Sequence, residues 1–152
     1  MPTTFLPLTD REVPRVLGMM SQLYAQDAIP WDEARSRKAI EDLQAAPEAG
    51  GIWLIQIEAA TVGYLVLTIG FSLEFHGRYA LLDEFFVEER WRSRGIGGQA
   101  LDFAEEFCRS HGLQALRLET DHSNLRAQQL YKRRGFLLHD RHLMTRWIAP
   151  ER

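Results

Sequence analysis

From Val13 onward the apolar residues Val13, Val16, Leu17, Met20, Leu23 and Tyr24 step by three and four, a spacing that predicts an amphipathic helix. Thr9-Asp-Arg-Glu12 has the form of a capping box ahead of it, and Pro14 moves the start a residue or so later. Thr3–Leu8 reads as a first strand. Asp27-Ala-Ile-Pro-Trp31 breaks the helix, and a second covers about Asp32–Ala46 with Ile40 and Leu43 inward. Gly50-Gly51 turns into the strand Ile52–Ile57. A short turn, Glu58–Ala60, joins it to Thr61–Ile69 as an antiparallel hairpin. Gly77-Arg78 leads into a third long strand, Tyr79–Val87. A polar stretch, Glu88–Arg94, ends in Gly95-Ile-Gly-Gly98 and opens a helix striped with Ile96, Ala100, Phe103, Ala104 and Phe107, which Gly112 ends. Leu113–Thr120 is a strand. Ser123 or Asn124 caps a helix running to about Arg134, and Gly135 terminates it. Two short strands follow, near Phe136–His139 and His142–Ile148. The order β-α-α-β-β-β-α-β-α-β-β predicts an α/β fold with a mixed, mostly antiparallel twisted sheet, and the β-α-β step over 80–120 suits a parallel pair.

A chain of 152 residues suits one domain over 1–152 and needs no disulfide or metal staple. Its hydrophobic fraction of 45% and charged fraction of 26% exclude disordered and fibrous classes. A net charge of −3 gives no global pull toward nucleic acid or an anionic membrane, so neither is expected as a partner. The longest apolar runs are strand-sized, below a membrane span. The N-terminus has no basic region followed by an apolar core, so the expected location is cytoplasmic. Cys108 is the single cysteine, which excludes an internal disulfide framework, and it reads as an inert packing residue. The histidines at 76, 111, 122, 139 and 142 have no metal-ligand spacing, so no metal is expected.

The informative segment is Leu81–Gln99, LLDEFFVEERWRSRGIGGQ. A strand, a basic loop and glycines opening a helix are parts for holding a pyrophosphate. N–H groups at a helix N-terminus point outward unpaired and the dipole favours an anion there. Gly95, Gly97 and Gly98 let the backbone come close to it, and Arg92 and Arg94 add forked donors. Gly95-x-Gly97-x-x-Ala100 also matches the dinucleotide fingerprint, with Glu119 about twenty residues on. The spacing speaks against that reading. Seven residues, Glu88–Arg94, separate strand from glycines, and only 57 residues follow Gly95, too few for a doubly wound sheet.

Arg92-x-x-Gly95-x-Gly97 after a strand resembles the Q/R-x-x-G-x-G/A signature of the GCN5-related N-acetyltransferase (GNAT) superfamily. Asn124-x-x-Ala127-x-x-x-Tyr131-x-x-x-Gly135-Phe136 is similar to that family's second motif, at the family's separation and in its element order. The resemblance implies a sheet that splays between the fourth and fifth strands to admit the pantetheine arm of acetyl-CoA, the co-substrate. It places that molecule against Phe85, Phe86 and Val87, against Arg92, Ser93, Arg94, Gly95, Ile96, Gly97 and Gly98, and against Asn124, Arg126, Ala127 and Tyr131. The acidic pair followed by Phe-Phe-Val, together with Tyr131-Lys-Arg-Arg-Gly135, looks like the spermidine/spermine (small-amine) branch. That branch has Glu then Asp where this chain has Asp83 then Glu84. Dimers are common in the family, and a homodimer is expected.

Acetyl transfer from a thioester to an amine sets three tasks. A protonated amine, with a pKa near ~10.4, must lose its proton, and a carboxylate takes it directly or through a water. The developing oxyanion needs a donor, which a backbone N–H around Phe85–Val87 would supply. The departing thiolate needs a proton. Tyr131 is the family-matched acid, on one helix face with Asn124 and Ala127; packing on the strand Leu116–Leu118 is its bland reading. For the base the resemblance offers Asp83, with Glu84 linked to cation binding. Glu119, twelve residues before Tyr131, is the rival, spaced as in the family's ribosomal-protein N-terminal acetyltransferases. By alternation Asp83 shares a face with Phe85 and Val87, and Glu84 with Phe86. Glu74, Asp83, Glu84, Glu119 and Asp121 together suggest an acidic, cation-accepting cleft. Tyr24 and Trp31 flank the loop where family members shape the acceptor pocket. Lys132-Arg133-Arg134 suits either a 3′-phosphate or a helix C-terminal turn. With no Ser/Cys–His pair, the expected reaction is direct attack by a small-molecule amine. A protein N-terminus or lysine as acceptor, or a non-catalytic acyl-CoA-binding regulatory module, are the alternatives.

Overall fold

The computed structural model describes residues 2–149. Contacts divide the chain into a first compact unit ending at Leu118 and a second beginning at Glu119. The first unit holds β1 (Thr4–Pro7), α1 (Val13–Gln26), α2 (Glu33–Gln44), β2 (Gly50–Ile57), β3 (Ala60–Ser72), β4 (Gly77–Val87), α3 (Ile96–Ser110) and β5 (Leu116–Arg117). The second holds α4 (Leu125–Arg133). The sheet order is β1-β2-β3-β4-β5. Neighbours are antiparallel except β4 and β5, which are parallel. This is the expected mixed α/β sheet.

The sheet has a core on each face. On one, Val16, Leu17, Met20 and Ile40 of α1 and α2 pack on Leu54, Tyr64, Val66 and Phe86. On the other, Ile96, Ala100 and Ala104 of α3 pack on Ile55, Leu65, Leu67 and Val87. Phe5 and Phe103 stack there at 4.5 Å between centroids. Gly63 lets β3 and β4 close up, since a Cβ would lie 2.1 Å from the Phe86 carbonyl oxygen.

Four expectations are corrected. The capping box does not form, because Thr9 makes no side-chain cap and its carbonyl instead accepts from the Glu12 N–H at 2.9 Å. A 3-10 turn, Asp10–Glu12, therefore precedes α1. The strand expected over Leu113–Thr120 shortens to Leu116–Arg117. The two last strands, Phe136–His139 and His142–Ile148, do not form among the described residues. Leu137, Leu143, Met144 and Ile148 are exposed there; an apolar-rich pattern becomes a strand only where a ladder satisfies its backbone. Finally, β4 is not regular. Val66 pairs with Glu84 and Leu67 with Leu82, so Asp83 is an extra residue, a β-bulge. Strict alternation would put Leu82 and Phe85 on opposite faces, yet both pack on the α3 side, and Asp83 is exposed.

Candidate active site

The bulge sits where the sheet opens. The β4–β5 ladder consists of Ala80 with Leu116 and Leu81 with Arg117. Beyond it, Leu82–Val87 remains paired to β3 but has no ladder on its other edge among the described residues. A strand in this situation turns every second N–H toward the open edge. The expected splay is this opening.

Glu84 follows the bulge and shares the α1 side with Phe86. Its carboxylate accepts from the Tyr24 hydroxyl of α1 at 2.6 Å and from the Tyr64 hydroxyl of β3 at 2.7 Å. Burial pushes the Glu84 carboxyl above its usual range. The two phenol hydrogen bonds pull it down, while Asp83 and Asp27 push it up. Tyr64 has no exposed surface, and burial, followed by the charge of Glu84, drives its phenol far upward. Trp31 stands edge-on to Tyr24 at 5.4 Å, so the two aromatics expected at the acceptor pocket meet each other, and Tyr24 reaches Glu84.

After β4 the chain makes a 3-10 turn, Glu89–Trp91. Arg92 Nε donates to the Val87 carbonyl at 2.8 Å, and its guanidinium lies 5.5 Å from the Phe86 ring centre. Arg92 therefore straps the loop to the end of the strand. The Arg94 guanidinium lies 5.0 Å from the Trp91 ring centre. Ser93 and Gly95 both take left-handed backbone, at φ 62° and 81°, and bend the loop into α3. The first intrahelical bond runs from the Gln99 N–H to the Gly95 carbonyl at 3.2 Å. The N–H groups of Ile96, Gly97 and Gly98 thus lie in the helix's first turn, where no intrahelical acceptor exists. A Cβ on Gly97 would meet nothing within 4 Å. The protein's own packing does not ask for glycine at that position, and the bare first turn with Arg94 beside it fits a diphosphate.

In the second unit, the Asn124 side chain accepts from the Ala127 N–H at 3.1 Å and so caps α4. Gln128 Nε2 donates to the Asp121 and His122 carbonyls at 2.8 and 3.1 Å. Tyr131 meets Phe136 edge-on at 5.8 Å, and burial raises its phenol. Arg126, Lys132 and Arg133 lie along α4 with Ala127, and Arg134 is its C-cap. Glu119 opens this unit.

The structure thus gathers Asp83, Glu84, Phe85, Phe86 and Val87 with the loop Arg92–Gly98. It does not bring Glu74 to them. Glu74 lies in the turn between Ser72 and Gly77, seven residues of strand from Glu84, roughly 20 Å. Tyr64 was missed by sequence reasoning. The available signal was a hydroxyl inside the apolar run of β3, because a buried phenol needs an acceptor.

A mixed sheet opened beside a bulge thus leads into a glycine-rich helix start. The profile of the Acetyltransferase (GNAT) family matches residues 17–136, and the chain belongs to that family. Over 75 residues it is 32% identical to an uncharacterized N-acetyltransferase, YhfO, of Bacillus subtilis (strain 168), a match covering 49% of this chain and 50% of that protein. The chain thus spans about half the length of the curated relative it matches. An integron cassette protein from the mobile metagenome of Cole Harbour Salt Marsh is 32% identical, with a TM-score of 0.83 over 97% of this chain and 91% of that one. A predicted acetyltransferase of Clostridium acetobutylicum, crystallised with acetyl-CoA, is 12% identical with a TM-score of 0.78 over 95% and 96%, which shows a shared fold. No helix of the described residues is long and apolar enough to cross a membrane.

Proposed function

We propose that this chain is one acetyltransferase domain that moves the acetyl group of acetyl-CoA to a primary amine of a small molecule, of the polyamine or diamine kind. The observation that carries the reading is the placement of Glu84. A half-buried carboxylate, held by two phenols, lies one residue past the bulge in the strand that feeds the glycine loop.

Acetyl-CoA, when bound, supplies the thioester carbon that the amine attacks. The loop Arg92–Gly98 and the first turn of α3 hold its diphosphate. An N–H on the open edge of Leu82–Val87 donates to the carbonyl oxygen as charge develops on it. Glu84 attracts the acceptor ammonium, because a half-buried anion is less screened by water and gains more from a cation at close range, and it takes the amine proton. Burial raises its basicity toward what that task needs. Asp83, exposed beside it, adds negative charge for the cation. This arrangement favours Glu84 over the exposed Asp83 as base. By the resemblance, Tyr131 gives the departing thiolate its proton; burial keeps its phenol protonated. The partners are the amine and a second copy of the chain, in the cytoplasm.

The test is thiol release from acetyl-CoA with spermidine, short diamines, amino acids, an aminoglycoside and an N-terminal peptide as acceptors. Tyr131→Phe and Glu84→Gln run in parallel. Turnover on a small amine, reduced by about 10²-fold or more in each variant, supports the reading. Turnover on the peptide alone moves the acceptor class to protein. Micromolar CoA binding with silence on every amine moves the chain to a regulatory acyl-CoA-binding module.

A further inference from the structure

We propose that Tyr24 and Tyr64 are positioning residues that together hold Glu84 ionised and fixed in one orientation. The inference rests on the transferase reading for its catalytic consequence, and its direct test does not depend on that reading. The two phenols reach different oxygens of the carboxylate, Tyr24 to Oε2 and Tyr64 to Oε1. Two points of attachment fix the plane of the group and stop its free rotation. The phenols come from α1 and β3, so the orientation is tied to the packing of helix on sheet.

The groups that act on Glu84 are Tyr24 and Asp27 from the C-terminal end of α1, Tyr64 from β3 and its neighbour Asp83 on β4. Burial and both aspartates favour the neutral acid. Only the phenols favour the anion among these groups. Hydrogen bonds to a charged acceptor are among the stronger ones, and an unpaired buried carboxylate is costly. Tyr64 cannot trade its role with Glu84, because burial and the carboxylate's own charge keep its proton in place. Apart from its hydroxyl, Tyr64 sits as a phenylalanine would. Its ring lies in the apolar cluster with Leu54, Val66 and Phe86, 6.2 Å from the Phe86 ring. Glu84 is what the hydroxyl serves.

The experiment follows the side-chain carboxyl carbon of Glu84 by NMR against pH in protein labelled at glutamate, with Glu84→Gln assigning the signal. In Tyr24→Phe and in Tyr64→Phe the midpoint should rise by about one pH unit, the size of one charge-assisted hydrogen bond. The acidic limb of kcat/KM for the acceptor should rise with it, while KM for acetyl-CoA stays put. Tyr24 is half-exposed on a helix, so Tyr24→Phe carries the test alone should the buried variant not fold. An unmoved midpoint in the folded variants overturns the proposal, whereas a moved midpoint with an unmoved kinetic limb upholds the clamp and overturns Glu84 as the base. If wild type shows no turnover, the transferase reading fails separately, and the NMR midpoint alone decides the clamp.

Discussion

Gly97 occupies an ordinary helical position, and its freedom from internal contacts is what makes it informative. A methyl group there would touch nothing in the protein. Alanine is the better helix former by roughly 0.5–1 kcal/mol, so folding alone would favour it. Glycine is explained if something outside the chain comes close to the first turn of α3. The substitution Gly97→Ala should therefore move two quantities in opposite directions. Unliganded thermal stability should stay level or rise by up to about 1 kcal/mol. If the proposed diphosphate site is right, affinity for CoA, read by calorimetry, should fall about tenfold or more, because the methyl would stand between the diphosphate and the N–H groups. Equal CoA affinity in the two proteins would remove Gly97 from the binding surface. The place of Gly97 in the first turn of α3 was legible from the sequence, since glycines after a strand and before a helix need no tertiary information. For Tyr64 the apolar run showed only that its hydroxyl needs an acceptor, and the β3–β4 register is what makes Glu84, two residues before its partner Phe86, that acceptor.

At the scale of elements, the bulge in β4 decides which side chains face where. The run Leu82–Val87 reads in sequence as a simple alternation, and no residue in it announces an insertion. Only the register with β3 shows that Asp83 has no opposite number. Its removal makes the device testable. With Asp83 deleted, Leu82 would stay opposite Leu67 and Glu84 opposite Val66, now as consecutive rungs of one regular ladder. Glu84 would keep its face, and the fold should survive with a melting point within a few degrees of wild type. Acetyl transfer should be lost, because the local bend that the bulge gives the strand at the opening disappears. Retained activity in the deletion would show that the bulge is incidental. The same dependence on pairing explains the tail. The apolar residues of 136–148 promised strands, and the described backbone there carries no ladder. Periodicity reports which positions are apolar, and it says nothing about whether a partner edge is available. The helices, whose hydrogen bonds are local, were placed to within a few residues.

For the molecule as a whole, the site has a cost that pH makes visible. Glu84 is ionised against its own burial, and its carboxyl lies above the usual range in the folded chain. In the unfolded chain it returns to about 4.3. Between those two values the folded state holds a proton that the unfolded state has released. Stability therefore falls as pH rises through that window, and below it the contribution is fully present. Net charge does not set this behaviour, since at −3 it is small; one misplaced carboxyl does. Glu84→Gln removes the titration and leaves an amide whose oxygen can still accept from one phenol. Urea unfolding of wild type and Glu84→Gln, at pH values on either side of the window, isolates the effect. The variant should gain stability relative to wild type as pH is raised, even as its activity collapses. Curves that run parallel across pH would mean that the folded and unfolded carboxyls titrate alike. Glu84 would then be a solvated strand charge, and the argument for it as a tuned base would fall with that result. A residue whose removal stabilises the fold and abolishes the chemistry is held in place by function.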